Sequence, residues 1–213
     1  MFIAWALLAC LVLCVAMLAA AISVYPGGNA IHPQAKGHSF WLNFLCDLTN
    51  DVASNGLPNT RSQGWARTGM TALAVALEAF WLLLPTTFPT RIVTGRVIRW
   101  SGTICVSALL LVPVVEGPAH KFIVFASVIP GTVAGALGLA SLFATPGRRG
   151  QGTLAATAFV VSIGDAVLYA QSYRVHPRVI VPELPALQRV ALLLMWAWMV
   201  TVAVGVLRSR QKE

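Results

Sequence analysis

Charge is what this sequence has least of. Asp, Glu, Lys and Arg make up 10% of 213 residues, against about 25% in an ordinary soluble domain. So little charge cannot cover a water-soluble surface, which excludes a soluble globule, a disordered tail and a nucleic-acid reader. Acid is the scarcer sign, with 7 Asp and Glu against 15 Lys and Arg. Cysteine is scarce too, at 4 residues. Cys10 and Cys14 share a face of the first apolar run, Cys105 lies in the third, and only Cys46 falls between runs. That spacing supports neither a disulfide framework nor a cysteine metal site and leaves small packing residues. No histidine or lysine lies in the core of an apolar run: His32, His38, His120, His176, Lys36, Lys121 and Lys212 all fall outside. This excludes a haem ligated between helices and a retinal Schiff base. There is no nucleotide-binding motif and no three-plus-three repeat of the transporter kind.

What is present is apolar sequence in long runs, 57% of all residues. Crossing a bilayer takes roughly 20 mostly apolar residues, and six stretches qualify: 2–24, 69–88, 97–115, 122–144, 153–173 and 186–207. They are continuous rather than alternating, which excludes a membrane barrel. The third is the weakest, with Arg99 in its first turn, able to snorkel to the headgroups, and Pro113 near its end. The first resembles a signal peptide at Ala19-Ala20-Ala21, but it has no basic start and is too long for such a core, so a retained helix is expected. The expected fold is all-α: a polytopic six-transmembrane-helix bundle forming a single domain over 1–213.

Six spans put both termini on one side. That side carries Arg91, Arg96, Arg99, Arg148, Arg149, Arg208, Arg210 and Lys212 in short segments, against the acid Glu213. The other side carries Lys36, Arg61, Arg67, Lys121, Arg174, Arg178 and Arg189 over longer loops, together with Asp47, Asp51, Glu116 and Glu183. Basic density in short loops orients a membrane protein. The expected location is therefore a bacterial cytoplasmic (inner) membrane with both termini in the cytoplasm. The net charge of +8 reads as anchoring to anionic lipid.

The first loop, 25–63, is long for a compact protein, and long loops are functional or disordered. Tyr25-Pro26-Gly27-Gly28-Asn29 reads as a rigid turn. Phe40, Phe44, Leu48 and Val52 recur every four residues, and Ser39, Asn43, Asp47 and Asp51 follow one step behind. Such stripes predict an amphipathic lid helix over 39–52 with Ser39 as its cap. Lipid-binding surface helices are basic on their polar face; this one presents carboxylates, so the stripe is read as facing protein over the outer mouth. The alternative is a solvated polar face.

Two carboxylates fall inside spans, Glu78 midway along the second and Asp165 in the outer half of the fifth. Unpaired, each would cost several kcal/mol, so each faces the interior. Both read either as helix–helix hydrogen-bonding groups or as polar intramembrane functional sites; Tyr169, then Ser172 or Tyr173, continue the Asp165 face. Glu116 and His120 are spaced by four around Pro118. The outer-side candidates for catalysis are His38, Asp47, Asp51, His120 and Asp165, of which His38, Asp47 and His120 are candidate ligands for a divalent metal. They lack a diagnostic spacing, and the other reading is plain hydrogen bonding.

Tyr25-Pro26-Gly27-Gly28, Gly37-His38-Ser39-Phe40-Trp41, Asn43-Phe44-Leu45-Cys46-Asp47-Leu48 and Asn55-Gly56 with Asn59 and Arg61 resemble a family of bacterial six-span membrane proteins of unknown function. That family is distantly similar to the eukaryotic DRAM/Sfk-type group. The resemblance is strongest over 25–70 and extends weakly to Gly117-Pro118-Ala119-His120 and to 185–196. It implies a six-helix bundle with the Asn43/Asp47 loop packed into its outer mouth, and a lipid-related role. It carries over no catalytic residue. Cys46-Asp47 stands where the family suggests Ser-Asp, which argues against that hydroxyl as a required nucleophile.

Three functions follow as expectations. The first is a lipid-handling protein or accessory subunit of a membrane complex, its partners being membrane lipids and other subunits and no nucleic acid. The second is a metal-dependent lipid hydrolase or acyltransferase using the outer His and Asp residues. These resemble ceramidase-type metal sites, but the final run, 186–207, lacks the paired histidines of such enzymes. The third is a proton-coupled carrier using Glu78 and Asp165.

Overall fold

The structure is a computed structural model that describes residues 1–115, 117–175 and 183–211. Six α-helices form it: α1 (Phe2–Ser23), α2 (Thr60–Leu83), α3 (Ile92–Leu109), α4 (Gly117–Phe143), α5 (Arg149–Val175) and α6 (Leu184–Arg210). Short 3-10 turns occupy Leu45–Thr49 and Leu84–Thr87. Among the described residues there is no strand, only the isolated bridges Gly27–Lys36 and Val52–Pro58.

Five helical segments are long and apolar enough to cross a membrane: Phe2–Ser23, Thr60–Thr87, Ala119–Phe143, Arg149–Ser172 and Leu184–Ser209. In four of them the apolar side chains mostly point outward: 28% of the apolar window is buried in α1 and in α6, 22% in α4 and 11% in α5, against 56% in the central α2. A soluble bundle would hide these residues; a bilayer solvates them. Phe122, Ile129 and Val160 are each at least two-thirds exposed on α4 and α5. The arrangement is that of a multi-pass membrane protein.

The stretch 97–115, expected to be one span, is divided differently. Helix α3 begins at Ile92, ends at Leu109 and carries Arg96 and Arg99. Leu110–Val114 then pass through turns, because Pro113 has no N–H to donate and its ring obstructs a continuing helix.

Helix α1 packs chiefly on α2, α3 on α4, and α5 on α6, while the α4–α5 seam is thinner. The centre is an aromatic cluster, with Phe80, Trp81 and Trp198 ring centroids 4.8–6.4 Å apart. Gly102 makes this possible: a Cβ there would stand 2.3 Å from Cγ of Trp81. Three glycines of α4 sit at close approaches, Gly131 against Cys105, Gly135 against Phe159 and Gly138 against Leu84. Helix α4 runs through Pro130.

The lid helix over 39–52 does not form. Residues 39–43 make a hydrogen-bonded turn, Phe44 is extended, and only the 3-10 turn Leu45–Thr49 follows. The physical reason is local competition. Asp47 Oδ2 accepts the Phe44 N–H at 2.9 Å, an amide that a continuous helix would bond to Phe40, while Asn43 Oδ1 folds back onto the Ser39 N–H at 2.9 Å.

Candidate functional site

The polar residues of the first loop are its skeleton. Gly27 and Gly28 have φ of 136° and 82°, and a Cβ at Gly27 would lie 2.4 Å from the Ala35 carbonyl oxygen. Only glycine satisfies both demands. The Gly28 N–H donates to Ala35 O at 2.7 Å, and the Asn55 N–H to Gly27 O at 3.2 Å. Asn29 Oδ1 accepts the N–H groups of Ile31 and His32. Asn59 Nδ2 donates to the carbonyls of Leu48 and Asn50 at 3.0 and 2.9 Å. The Tyr25 hydroxyl accepts the Ser54 N–H at 3.1 Å. Asn29, Asn43 and Asn59 are buried, and most of their side-chain bonding capacity is met within the loop. These residues of the first loop therefore hold one ordered plug.

Asn43 is its centre. Fully buried, it donates to Gly28 O at 2.8 Å and to Asp47 Oδ2 at 3.1 Å. Its own carbonyl accepts Nη2 of Arg189 at 2.7 Å. Arg189, on the first turns of α6, is 1% exposed; Nη1 donates to Gln188 Oε1 at 2.8 Å, and the guanidinium lies 5.4 Å from the Phe40 ring centre. Gln188 Oε1 also accepts the Leu45 N–H at 3.2 Å. Phe44 packs edge-on against Tyr169 of α5, which also touches Phe125 of α4. The plug is thus clamped to α5 and α6; of the polar stripe, Asn43 and Asp47 point inward, whereas Asp51 is exposed.

Burial pushes the Asp47 carboxyl upward, while Asn43, the Phe44 amide and Arg189 pull it back. Burial and, secondarily, Arg189 push His38 down to about 4, with the Phe44 backbone pulling the other way. Its ring meets Tyr25 edge-on, and neither ring nitrogen makes a hydrogen bond among the described residues. Burial and the Asp47 charge raise the Cys46 thiol to about 12, which makes it a poor nucleophile.

The remaining candidates are dispersed. Nδ1 of His120 lies 3.0 and 2.9 Å from the carbonyls of Val112 and Val115. Both partners are acceptors, so this nitrogen carries the proton and ties the α3–α4 turn to α4. Asp51 is exposed, accepts Gln63 Nε2 and pairs with Arg67 at 3.6 Å. Glu78 Oε1 accepts the Thr103 hydroxyl at 2.7 Å, joining α2 to α3, while Oε2 is buried without a partner among the described residues. Asp165 is half-buried on α5, one turn before Tyr169. Glu116, His176 and the side chain of Tyr173 lie outside the described residues. Among the described residues no three His, Cys, Asp or Glu side chains stand together as a metal site.

Arg189 is the functional residue that sequence reasoning missed, counted there only as an outer-side charge. Its signal was available: it lies on the helical stripe of Leu192 and Trp196, and an arginine on an apolar stripe must find a buried acceptor.

No family model, curated protein or solved structure matches the chain.

Proposed function

We propose that this chain is a six-span protein of a bacterial cytoplasmic membrane, both termini cytoplasmic, that handles lipid or serves as a lipid-contacting subunit of a membrane complex. Helix α3 is the sixth span: the turns through Leu110–Val114 extend its apolar length, and Arg96 and Arg99 near its start can snorkel. The short, base-rich connections at the terminus end support the orientation. The resemblance of 25–70 to the bacterial six-span family, and through it to the DRAM/Sfk-type group, favours a lipid role.

One observation carries this reading. A cavity of about 280 Å³ lies among α2–α6, lined mainly by apolar groups including Leu77, Phe159, Ile163 and Met195, with Trp81, Trp198 and Ser162 supplying the polar edge. Its size is near the lower end of small-ligand sites, roughly 300–1,000 Å³. Its apolar lining at membrane depth suits a length of acyl or isoprenoid chain. The indole nitrogens of Trp81 and Trp198 are buried without acceptors among the described residues. The hydrolase or acyltransferase alternative draws less support, because His120 is engaged by carbonyls and Asp47 by the plug.

The test is mass spectrometry of lipid extracted from protein purified in mild detergent, comparing wild type with Ser162→Phe, which fills the cavity. Retained lipid in wild type and a loss of about one bound lipid per chain in the variant, at unchanged elution, are expected. A wild-type protein that purifies as a lone monomer without lipid overturns the proposal.

A further inference from the structure

The end of the bundle remote from the plug holds a larger cavity, about 930 Å³. It gathers the start of α1, the end of α2 with its 3-10 turn, the start of α3, the α4–α5 connection and the end of α6. Four arginines line it, Arg91, Arg96, Arg99 and Arg148, and none makes an ion pair or side-chain hydrogen bond among the described residues. The sequence places one carboxylate at this end, Glu213, outside the described residues. No side chain caps the first turn of α3, which holds no acid, so the amides of Ile92, Val93 and Thr94 add to the positive field beside the cavity. The rim is apolar: Phe2 is 85% and Ile92 63% exposed, and both line the cavity. Trp5, also largely exposed, lies on the first turn of α1 and fits an interfacial belt.

Four guanidinium groups around one concavity, without carboxylates to neutralise them among the described residues, select an oxyanion, and the planar fork of arginine matches phosphate. An exposed apolar rim at the level of the headgroups selects an oxyanion that carries hydrocarbon. We infer that this cavity binds the phosphate headgroup of an anionic phospholipid from the leaflet at the terminus end, its chains lying against Phe2 and Ile92. This deepens the lipid-handling reading and rests on its membrane placement, but not on the cavity among α2–α6. The arginines act jointly as a headgroup clamp, whereas Arg149 and Arg208, at the same end, do not line the cavity and serve as general anchors.

The test is native mass spectrometry of the full chain in detergent with added phosphatidylglycerol or phosphatidylcholine. Wild type is expected to retain phosphatidylglycerol about tenfold better. Replacing Arg91, Arg96, Arg99 and Arg148 by Gln removes that preference, while Arg149→Gln with Arg208→Gln leaves it within about twofold. If the fourfold variant does not fold, Arg96→Gln and Arg148→Gln, on different elements, each lower retention severalfold. Phosphatidylglycerol retention that survives Ser162→Phe separates this site from the chain cavity. Equal retention of the two lipids, or equal loss from the Arg149/Arg208 pair, overturns the inference. So does complete displacement of lipid by millimolar inorganic phosphate, which would make this a free-phosphate site.

Discussion

At the loop end, Asn43, Asp47, Asn59 and Arg189 point inward and bond one another or the main chain. At the terminus end, Arg91, Arg96, Arg99 and Arg148 face a cavity without an acid among the described residues. Both ends are polar caps on an apolar bundle, yet they use polarity oppositely. The loop end joins donors to acceptors along one continuous chain, Arg189 to Asn43 to Asp47, and the outcome is a rigid plug. The terminus end collects a single sign of charge from the start of α3 and the α4–α5 connection, and like charges that cannot satisfy one another await an anion. Polar groups whose partners lie within the chain build structure; those without them indicate where a ligand fits.

The sharpest way to break this comparison is to cut the clamp. Arg189→Ala leaves the Asn43 carbonyl and the Asp47 charge without the guanidinium. Losing one member of a buried charged network costs about 3–5 kcal/mol. The expected result is a released plug, read as rapid alkylation of Cys46, whose thiol at about 12 keeps it slow in wild type at neutral pH. If Cys46 stays unreactive and the thermal midpoint is unchanged, the plug does not depend on Arg189.

A smaller effect concerns pH. His38 sits at about 4 in the folded protein, below about 6.5 for an unfolded chain. Between those values the unfolded chain binds the extra proton, so stability is fully present above about pH 6.5 and lost as pH falls toward 4. Allowing for the partial exposure of His38, the loss is about 2 kcal/mol. Asp47, shifted upward, opposes this, since its protonation favours the folded plug as acid is added. Thermal midpoints at pH 7.5 and pH 5 should converge in His38→Gln; an undiminished pH difference in that variant would remove His38 from the account.

The smallest effect is expected at Glu78. Glu78→Gln keeps an acceptor for the Thr103 hydroxyl, and interhelical polar contacts in membranes average about 0.6 kcal/mol. Little change in thermal midpoint is expected. A loss of pH-dependent solute uptake in that variant would instead revive the proton-coupled carrier.

Much of this was legible in sequence because long apolar runs have few other solutions. The five segments apolar enough to span were readable from continuity alone. The protein-facing stripe of Asn43 and Asp47 was readable because carboxylates do not suit a lipid surface. Its helical form was not readable: spacing of four reports a shared face if a helix exists, but not whether side chains will compete for its amides. The pairing of Glu116 with His120 suggested chemistry, whereas the carbonyls at Val112 and Val115 that occupy His120 come from the turn at Pro113. Grouping His38, Asp47 and His120 assumed that residues on one side of a membrane meet, and sidedness does not specify lateral distance.

Amino-acid order by itself determined that this chain is helical, apolar and multi-pass, and which residues gather at each end, because hydropathy and charge are local properties summed along a run. Only the tertiary structure decided that Arg189 clamps the plug, that His120 holds a turn, and that four arginines from distant segments share one cavity. Those facts depend on which helix ends stand side by side, and that is settled by packing around Phe80, Trp81 and Trp198 rather than by spacing along the chain.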